Sequence, residues 1–391
     1  MGMIVQCVCQ TAVRPGVEVL AERGFQPLAG RRVGLLSNHT GVSGKGELTL
    51  KILQRAETID LAVLFSPEHG FRGAADAKVN SGLDSDSGLP VHSLYGAHRK
   101  PTPAMLAGLE ALVFDIQDIG TRFYTYIGTM SLAMEAAREN GLKFVVLDRP
   151  NPIAGIEVGG AIPPSDLCGG LTSIHPIPTR HGMTVGELAL LFNDHFGIGC
   201  DLEVIPMQGW KREMFYEETG LPWIPPSPNM KTHLGAFLYP GVGVCEATTL
   251  SCARGTEIPF EMYGAPYLDA DKVVANLSAR NIPGVAFQAT TFTPTAEGHK
   301  FEGELCHGVR IAVDDRKKAD PFLIGLHFIQ AVYETHPKDF IDLKPFLTLT
   351  GDPNLWENLT KDGKTPETIL AGWEGDLEEF KRIRARYLLY E

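Results

Sequence analysis

The run LAVLFSPEHGFRG, residues 61–73, sets an acid and an imidazole side by side, Glu68 and His69, directly after the apolar residues Leu61 to Phe65. A carboxyl group delivered by the end of a buried strand can be held partly out of water. That raises its pKa and suits it to general-acid work. Pro67 and Gly70 are turn residues that would fix the geometry around it. The plainer alternative is that Glu68 caps the next helix and His69 bonds a backbone carbonyl. Three further stretches have the same form, an apolar run followed by polar residues. One is SNHTG, with Asn38 and His39. Another is DIQDIGTRFYTY, with Asp115, Asp118, Arg122 and Tyr124. The third is DRPNP, with Asp148, Arg149 and Asn151. Asp115 and Asp118 would face opposite sides of an extended segment, so at most one is expected to reach a given ligand. Arg122 ahead of Phe123 and Tyr124 suits a sugar ring bearing a carboxylate, although an ion pair over a packed aromatic has the same composition. Further along, VCEATTLSCARGTEIPFEMYGAP at 244–266 places Glu246, Arg254 and Glu257 among small polar residues, which reads as a binding loop.

Several familiar chemistries are missing. GVSGKGELT imitates a phosphate loop, but His39 stands where its first glycine would be and Gly46 replaces the Ser or Thr after Lys45. No dinucleotide glycine fingerprint, His-Glu-x-x-His or Gly-x-Ser-x-Gly occurs. His39, His69 and His92 with Asp115 lack ligand spacing, so structural or substrate-bonding histidines are the expectation and no metal is called for. The seven cysteines are odd in number and scattered. They read as thiols rather than a disulfide framework, and Cys7 and Cys9 have no second pair to complete a zinc site.

The elements that must position these groups alternate. RRVGLLSN, DLAVLFS, LPVHSLY, ALVFDIQD, LKFVVLDRPNP and DLEVIPM read as strands. GELTLKILQRA, TPAMLAGL, TMSLAMEAAREN and TVGELALLFNDHFG read as helices, with Thr102 capping the second and a Thr184–Glu187 capping box opening the last. This alternation predicts an α/β fold with a mostly parallel sheet, and ligands at such sheets bind beyond the carboxyl ends of the strands. The proline-rich segment LPWIPPSPNMKT, 221–232, reads as a boundary or crossover. Beyond it, GVAFQATTFTPT and FEGELCHGVRIAVDD read as neighbouring strands, DPFLIGLHFIQAVYETH as a helix and DLEEFKRIRARYLLYE as a final helix, a smaller α+β domain.

Bulk properties narrow the partners. A chain of 391 residues exceeds one ordinary core. The formal net charge of -12 opposes a nucleic-acid partner, and no apolar run is long enough to span a membrane. MGMIVQCVCQTAV lacks a basic start and a small-residue cleavage site, so a cytoplasmic location is expected of the sequence as given.

SNHTG, SPEHGFRG, VHSLYG, FDIQDIGTRFYTYI, LDRPNPI, PTRHGMTVGELA, PPSPNM and EATTLSCARGTEIPFE together resemble the exo-β-N-acetylmuramidase family (NamZ-type, YbbC-like). The likeness runs from about residue 24 to the C-terminus. It implies a Rossmann-like catalytic domain over 24–225, a smaller domain over 232–391 and a cleft between them. It also implies removal of N-acetylmuramic acid from non-reducing ends of peptidoglycan fragments, without a cofactor, and Glu68 matches the family's catalytic glutamate. Members usually work outside the cytoplasm, so a periplasmic or secreted location is the alternative. Glycoside cleavage needs a proton donor and a second group on the opposite face of the sugar. Glu68 is the expected donor. Asp115, Asp118, Asp148, Glu246 or the substrate's own acetamido oxygen is the expected second group. Asn38, His39, His69, Tyr124, Asn151 and Glu257 are expected around the substrate, with Arg122, then Arg149, then Arg254, to read the lactyl carboxylate. Two rivals stay open: a non-catalytic sugar-binding protein and a metal-dependent amidase. Nothing in the sequence sets the oligomeric state.

Overall fold

A computed structural model describes residues 12–73, 81–343 and 345–391. Strands β1 (Arg32–Ser37), β2 (Asp60–Ser66), β3 (Gly82–Leu83), β4 (Pro90–Ser93), β5 (Ala111–Asp115), β6 (Lys143–Leu147) and β7 (Asp201–Ile205) form one sheet in the order β3-β4-β2-β1-β5-β6-β7. Every neighbouring pair is parallel except β3 with β4. The inner strands β5 and β6 are near-continuous apolar runs because helices cover both faces. Val113 and Phe114 illustrate the alternation: they point into two different apolar clusters, one on each face of the sheet. The covering helices are α1 (Gly16–Glu22), α2 (Thr49–Gln54), α3 (Pro103–Leu106), α4 (Tyr126–Glu139) and α5 (Val185–Asp194). The Thr102 cap and the Thr184–Glu187 capping box both form. The chain leaves β1 toward β2 and later returns to its other side as β5. That reversal opens a crevice at the carboxyl ends of these three strands.

The second unit contains α6 (His233–Val242), β8 (Met262–Ala265), α7 (Ala270–Ser278), β9 (Val285–Phe292), β10 (Cys306–Val313), α8 (Pro321–Thr335), α9 (Pro345–Thr350), α10 (Leu355–Thr360) and α11 (Pro366–Arg384). Its three strands pair antiparallel in the order β8-β10-β9. Two sequence expectations fail here. The stretch at 244–266 is not all loop, since it carries β8, a strand too short to show a period. The final helix begins ten residues earlier than its charge pattern suggested, at the Thr365 cap with Pro366 behind it, and stops at Arg384.

The residues after Arg384 return to the first unit. Arg384 Nη1 donates to the carbonyls of Gly155 and Gly182 at 3.0 and 2.9 Å. Glu187 accepts from the Leu389 amide at 2.8 Å, and the Glu391 carbonyl accepts from the Arg212 amide at 2.9 Å. Of the cysteines, Cys168, Cys200, Cys245, Cys252 and Cys306 are free thiols, four of them buried, while Cys7 and Cys9 lie outside the described residues.

One half-buried imidazole sets a pH dependence. His175 stacks on Phe196 at 4.4 Å and bonds the Ser131 hydroxyl at 2.8 Å. Burial pulls it down to about 4. The unfolded chain, with an ordinary imidazole near 6.5, therefore binds the proton first, and stability falls as pH drops through the window from 6.5 towards 4. Between pH 7 and 5 this group alone is expected to cost about 2 kcal/mol. Urea unfolding of the wild type and His175→Gln at both pH values measures it. An equal pH slope in the two proteins would assign the loss to other groups.

Candidate active site

The turn after β2 carries Glu68 out of the sheet. His69 and Gly70 both adopt left-handed backbone, with φ of 67° and 76°. Such a turn reverses the chain within two residues, and Gly70 enters it without strain. Glu68 is half-buried, and the Thr125 hydroxyl, at the mouth of α4, donates to its Oε2 at 2.6 Å. The ends of β2 and β5 thus meet at this carboxylate. Tyr95, just beyond β4, faces the same group, and burial followed by its hydrogen bond to Glu68 pushes its phenol up to about 12. Tyr124 and Tyr126 pack edge to face at 4.9 Å, and burial raises both phenols well above the ordinary value. All three therefore stay protonated at neutral pH, as neutral phenols that can both donate and accept.

The end of β1 completes the crevice. Asn38 is buried; its Oδ1 accepts from the amide and hydroxyl of Thr40, while its Nδ2 has no partner, beside the Tyr126 hydroxyl. His39 Nε2 lies 2.7 Å from the Pro225 carbonyl, so that nitrogen carries the proton. Burial lowers the His39 pKa, which keeps the ring neutral. Gly73 closes on this ring so tightly that a Cβ there would sit 1.9 Å from His39 Nδ1. The proline-rich segment runs across the crevice and is more than a connection. Tyr126 donates to the Pro226 carbonyl at 2.5 Å, Ser227 stands beside the Tyr124 hydroxyl, and Asn229 accepts the Gly255 amide at 2.8 Å.

The second unit reaches the site through an aromatic contact. The Tyr239 ring packs on Phe123 at 5.0 Å, Phe260 at 4.8 Å and Tyr124 at 6.2 Å. Its hydroxyl donates to Glu246 Oε2 at 2.9 Å, and Arg254 Nε holds the other oxygen at 3.0 Å. Lys300 fixes the backbone beneath, donating to the carbonyls of Glu246, Thr248 and Leu250 at 2.6, 2.5 and 3.1 Å.

Two family profiles tile the chain: the N-terminal part of the exo-β-N-acetylmuramidase NamZ over residues 33–234 and its C-terminal part over 237–390. The chain belongs to the NamZ family. A relative in Bacillus subtilis (strain 168), the peptidoglycan β-N-acetylmuramidase NamZ, is 44% identical over 97% of this chain and 93% of its own length. Two Bacteroides fragilis crystal structures of DUF1343 family proteins share the fold. One has a TM-score of 0.89 at 39% identity and the other 0.80 at 34%, each match covering 97% of this chain and 99% of the other.

In this NamZ-family chain the remaining acids and arginines picked from the sequence are held, for the most part, by protein partners. Asp115 and Arg149 are both buried and face each other, with Arg149 Nε at 2.5 Å and Nη2 at 2.9 Å from the two carboxylate oxygens. The Thr49 hydroxyl adds a further bond to Asp115. The pair neutralises itself inside the protein, which leaves neither a second catalytic acid nor a carboxylate reader there. Arg122 is also buried, and its guanidinium bonds the carbonyls of Thr172, Leu349 and Thr348 at 2.9, 2.8 and 3.3 Å. The expectation that it reads a lactyl group failed because the sequence cannot show which way the side chain turns. Asp148 collects the Tyr390 hydroxyl at 2.5 Å, the Thr184 hydroxyl at 2.8 Å and the amides of Gly186 and Arg149. Burial pushes it up to about 7. Asp118 accepts from the Gly120 amide at 2.7 Å through Oδ2, while its buried Oδ1 has no partner, and Asn151 bonds Met183 and Ile153 in the turn after β6. Glu257 is exposed, 3.7 Å from Lys231. Among the described residues no cluster of three or more His, Cys, Asp or Glu is placed to hold a metal ion, and no helix is long and apolar enough to cross a membrane.

The sequence reading missed Thr125, Tyr95, Ser227 and Tyr239. Thr125 and Tyr95 were detectable in principle, since both sit on strand-end loops. Tyr239 lies on a helix that shows no polar face.

Proposed function

We propose that this protein is a glycoside hydrolase that releases N-acetylmuramic acid from the non-reducing ends of peptidoglycan fragments. The observation that carries this is the Glu68 carboxyl, held by Thr125 in a crevice walled by Tyr95, Tyr124 and Tyr126, within a NamZ-family chain. Glu68 gives its proton to the glycosidic oxygen as the bond to the anomeric carbon breaks. The Tyr124 hydroxyl and the Asn38 amide nitrogen, both without a protein partner, are the donors left for the sugar, and neither competes for that proton. Both oxygens of Asp115, of Asp148 and of Glu246 are engaged by protein donors. Asp118 keeps one oxygen without a partner, but that oxygen is buried away from solvent. This favours the substrate's acetamido oxygen as the second group, attacking the anomeric carbon from the opposite face. Water then opens the cyclic intermediate, with Glu68 taking the proton back.

The test is hydrolysis of 4-nitrophenyl β-N-acetylmuramide, with N-acetylmuramic acid identified as the released sugar. No turnover would leave only a binding role. Replacing the acetamido group by trifluoroacetamido weakens its oxygen as a nucleophile. The rate is expected to fall by about 10- to 100-fold, since the lost nucleophilicity enters the barrier directly. An unchanged rate would return the second role to a protein carboxylate.

A further inference from the structure

PTRHG and PNPIAGIEVGG, on either side of the loop that follows β6, take no part in the chemistry above. They wall a cavity of about 480 Å³, closed on its far side by the start of α8. This volume lies within the range of small-molecule sites, and no residue lining it belongs to the Glu68 crevice.

Its floor holds Arg180, only 5% exposed. The guanidinium lies over the Phe237 ring at 5.9 Å and donates from Nη2 to the Ile153 carbonyl. Nε has no partner, and no carboxylate lies within 4 Å of the group among the described residues. A buried arginine without a counter-ion is costly unless something else supplies one. Glu157 and Asp320 line the same cavity and act on Arg180 electrostatically, but neither touches it. Neither forms an ion pair with any other described residue. Of the further cations, Arg316 is committed to Glu217 and Lys318 to Asp315, while Lys317 is exposed at the rim. The wall between is apolar: Val158, Phe215, Ala319 and Phe322.

The cavity therefore offers one buried cation at the floor and three exposed carboxylates, Glu157, Asp320 and Glu213, nearer the opening, with apolar surface between. A simple anion would meet Arg180 but be opposed by Glu157 and Asp320. We propose that this cavity binds an amino acid or short peptide as its zwitterion, the carboxylate seated on Arg180 and the ammonium between Glu157 and Asp320. The two ends of the ligand satisfy the groups that the protein leaves apart, and small side chains fit the apolar wall.

Calorimetric titration of the intact protein with L-alanyl-L-alanine, acetate and ethylamine at low salt tests this. The dipeptide is expected to bind at least about tenfold more tightly than either single-charge probe, because two charge-assisted contacts act together. Arg180→Met should lose about tenfold or more in dipeptide affinity. Should that variant fail to fold, the double variant Glu157→Gln, Asp320→Asn carries the test; the asparagine can still cap α8. It should lose about the same factor for the dipeptide and none for acetate. No dipeptide binding at about 10 mM, equal binding of acetate, or unchanged dipeptide affinity in the double variant overturns the proposal.

Discussion

Glu68→Gln is expected to lower kcat/KM on an unactivated muramide by about 10² to 10⁴, the usual worth of a positioned proton donor. The amide still accepts the Thr125 hydroxyl that now bonds Oε2, so the melting temperature should stay near the wild-type value. The size of the loss depends on the leaving group. A 2,4-dinitrophenolate departs without a proton, so the variant should cleave that muramide with a much smaller deficit than it shows for a 4-methoxyphenyl one. Equal deficits on both would mean that Glu68 acts by charge or position and not by protonation. Near wild-type rates on both would remove it from the mechanism.

The crevice itself was readable from the sequence, because strand ends announce themselves: an apolar run stops and polar residues begin. Glu68, Asn38, His39 and Tyr124 were found in this way, and they do converge where β1, β2 and β5 end. What failed was the choice among charged residues near such ends. Asp115 closes the run Ala111–Asp115, and its side chain lies within the buried layer. Arg149 and Arg122 follow strand ends as well, yet both turn inward. A sequence gives the position of a guanidinium along the chain but not its direction, and long side chains reach partners that no local pattern reveals. The short strand β8 and the start of α11 were missed for a related reason: four residues carry no period, and a helix with few buried positions shows little apolar face.

The Asp115–Arg149 pair leads to the second large effect. Asp115→Asn keeps the shape but leaves a buried guanidinium without its charge partner. Breaking a buried pair from one side costs about 3–5 kcal/mol. Urea unfolding should show a loss of that size, and Arg149→Met should show a similar one. The double variant should lose clearly less than the sum, because it leaves no orphaned charge. Turnover per folded molecule should be nearly unchanged in Asp115→Asn below its unfolding transition. A loss below about 1 kcal/mol would mean that the pair is solvated in a way its burial denies, and a collapse of turnover in well-folded protein would restore Asp115 as the second catalytic group.

The return of the residues after Arg384 to the first unit has a temporal consequence. Asp148 at the carboxyl end of β6, Glu187 on α5 and Arg212 beyond β7 each take a bond from, or give one to, residues 389–391. During synthesis, all seven strands of that sheet leave the ribosome long before those partners exist. The N-terminal unit must therefore wait, with Asp148 short of the Tyr390 hydroxyl and the Glu187–Arg212 ion pair short of its backbone partners, until the second unit has been made and has laid its last segment across it. Two units that look separable in outline are thus finished in a single closing event. A fragment cut in the proline-rich segment is expected to hold its sheet while exchanging the Gly186 amide, which bonds Asp148, far faster than the whole chain does.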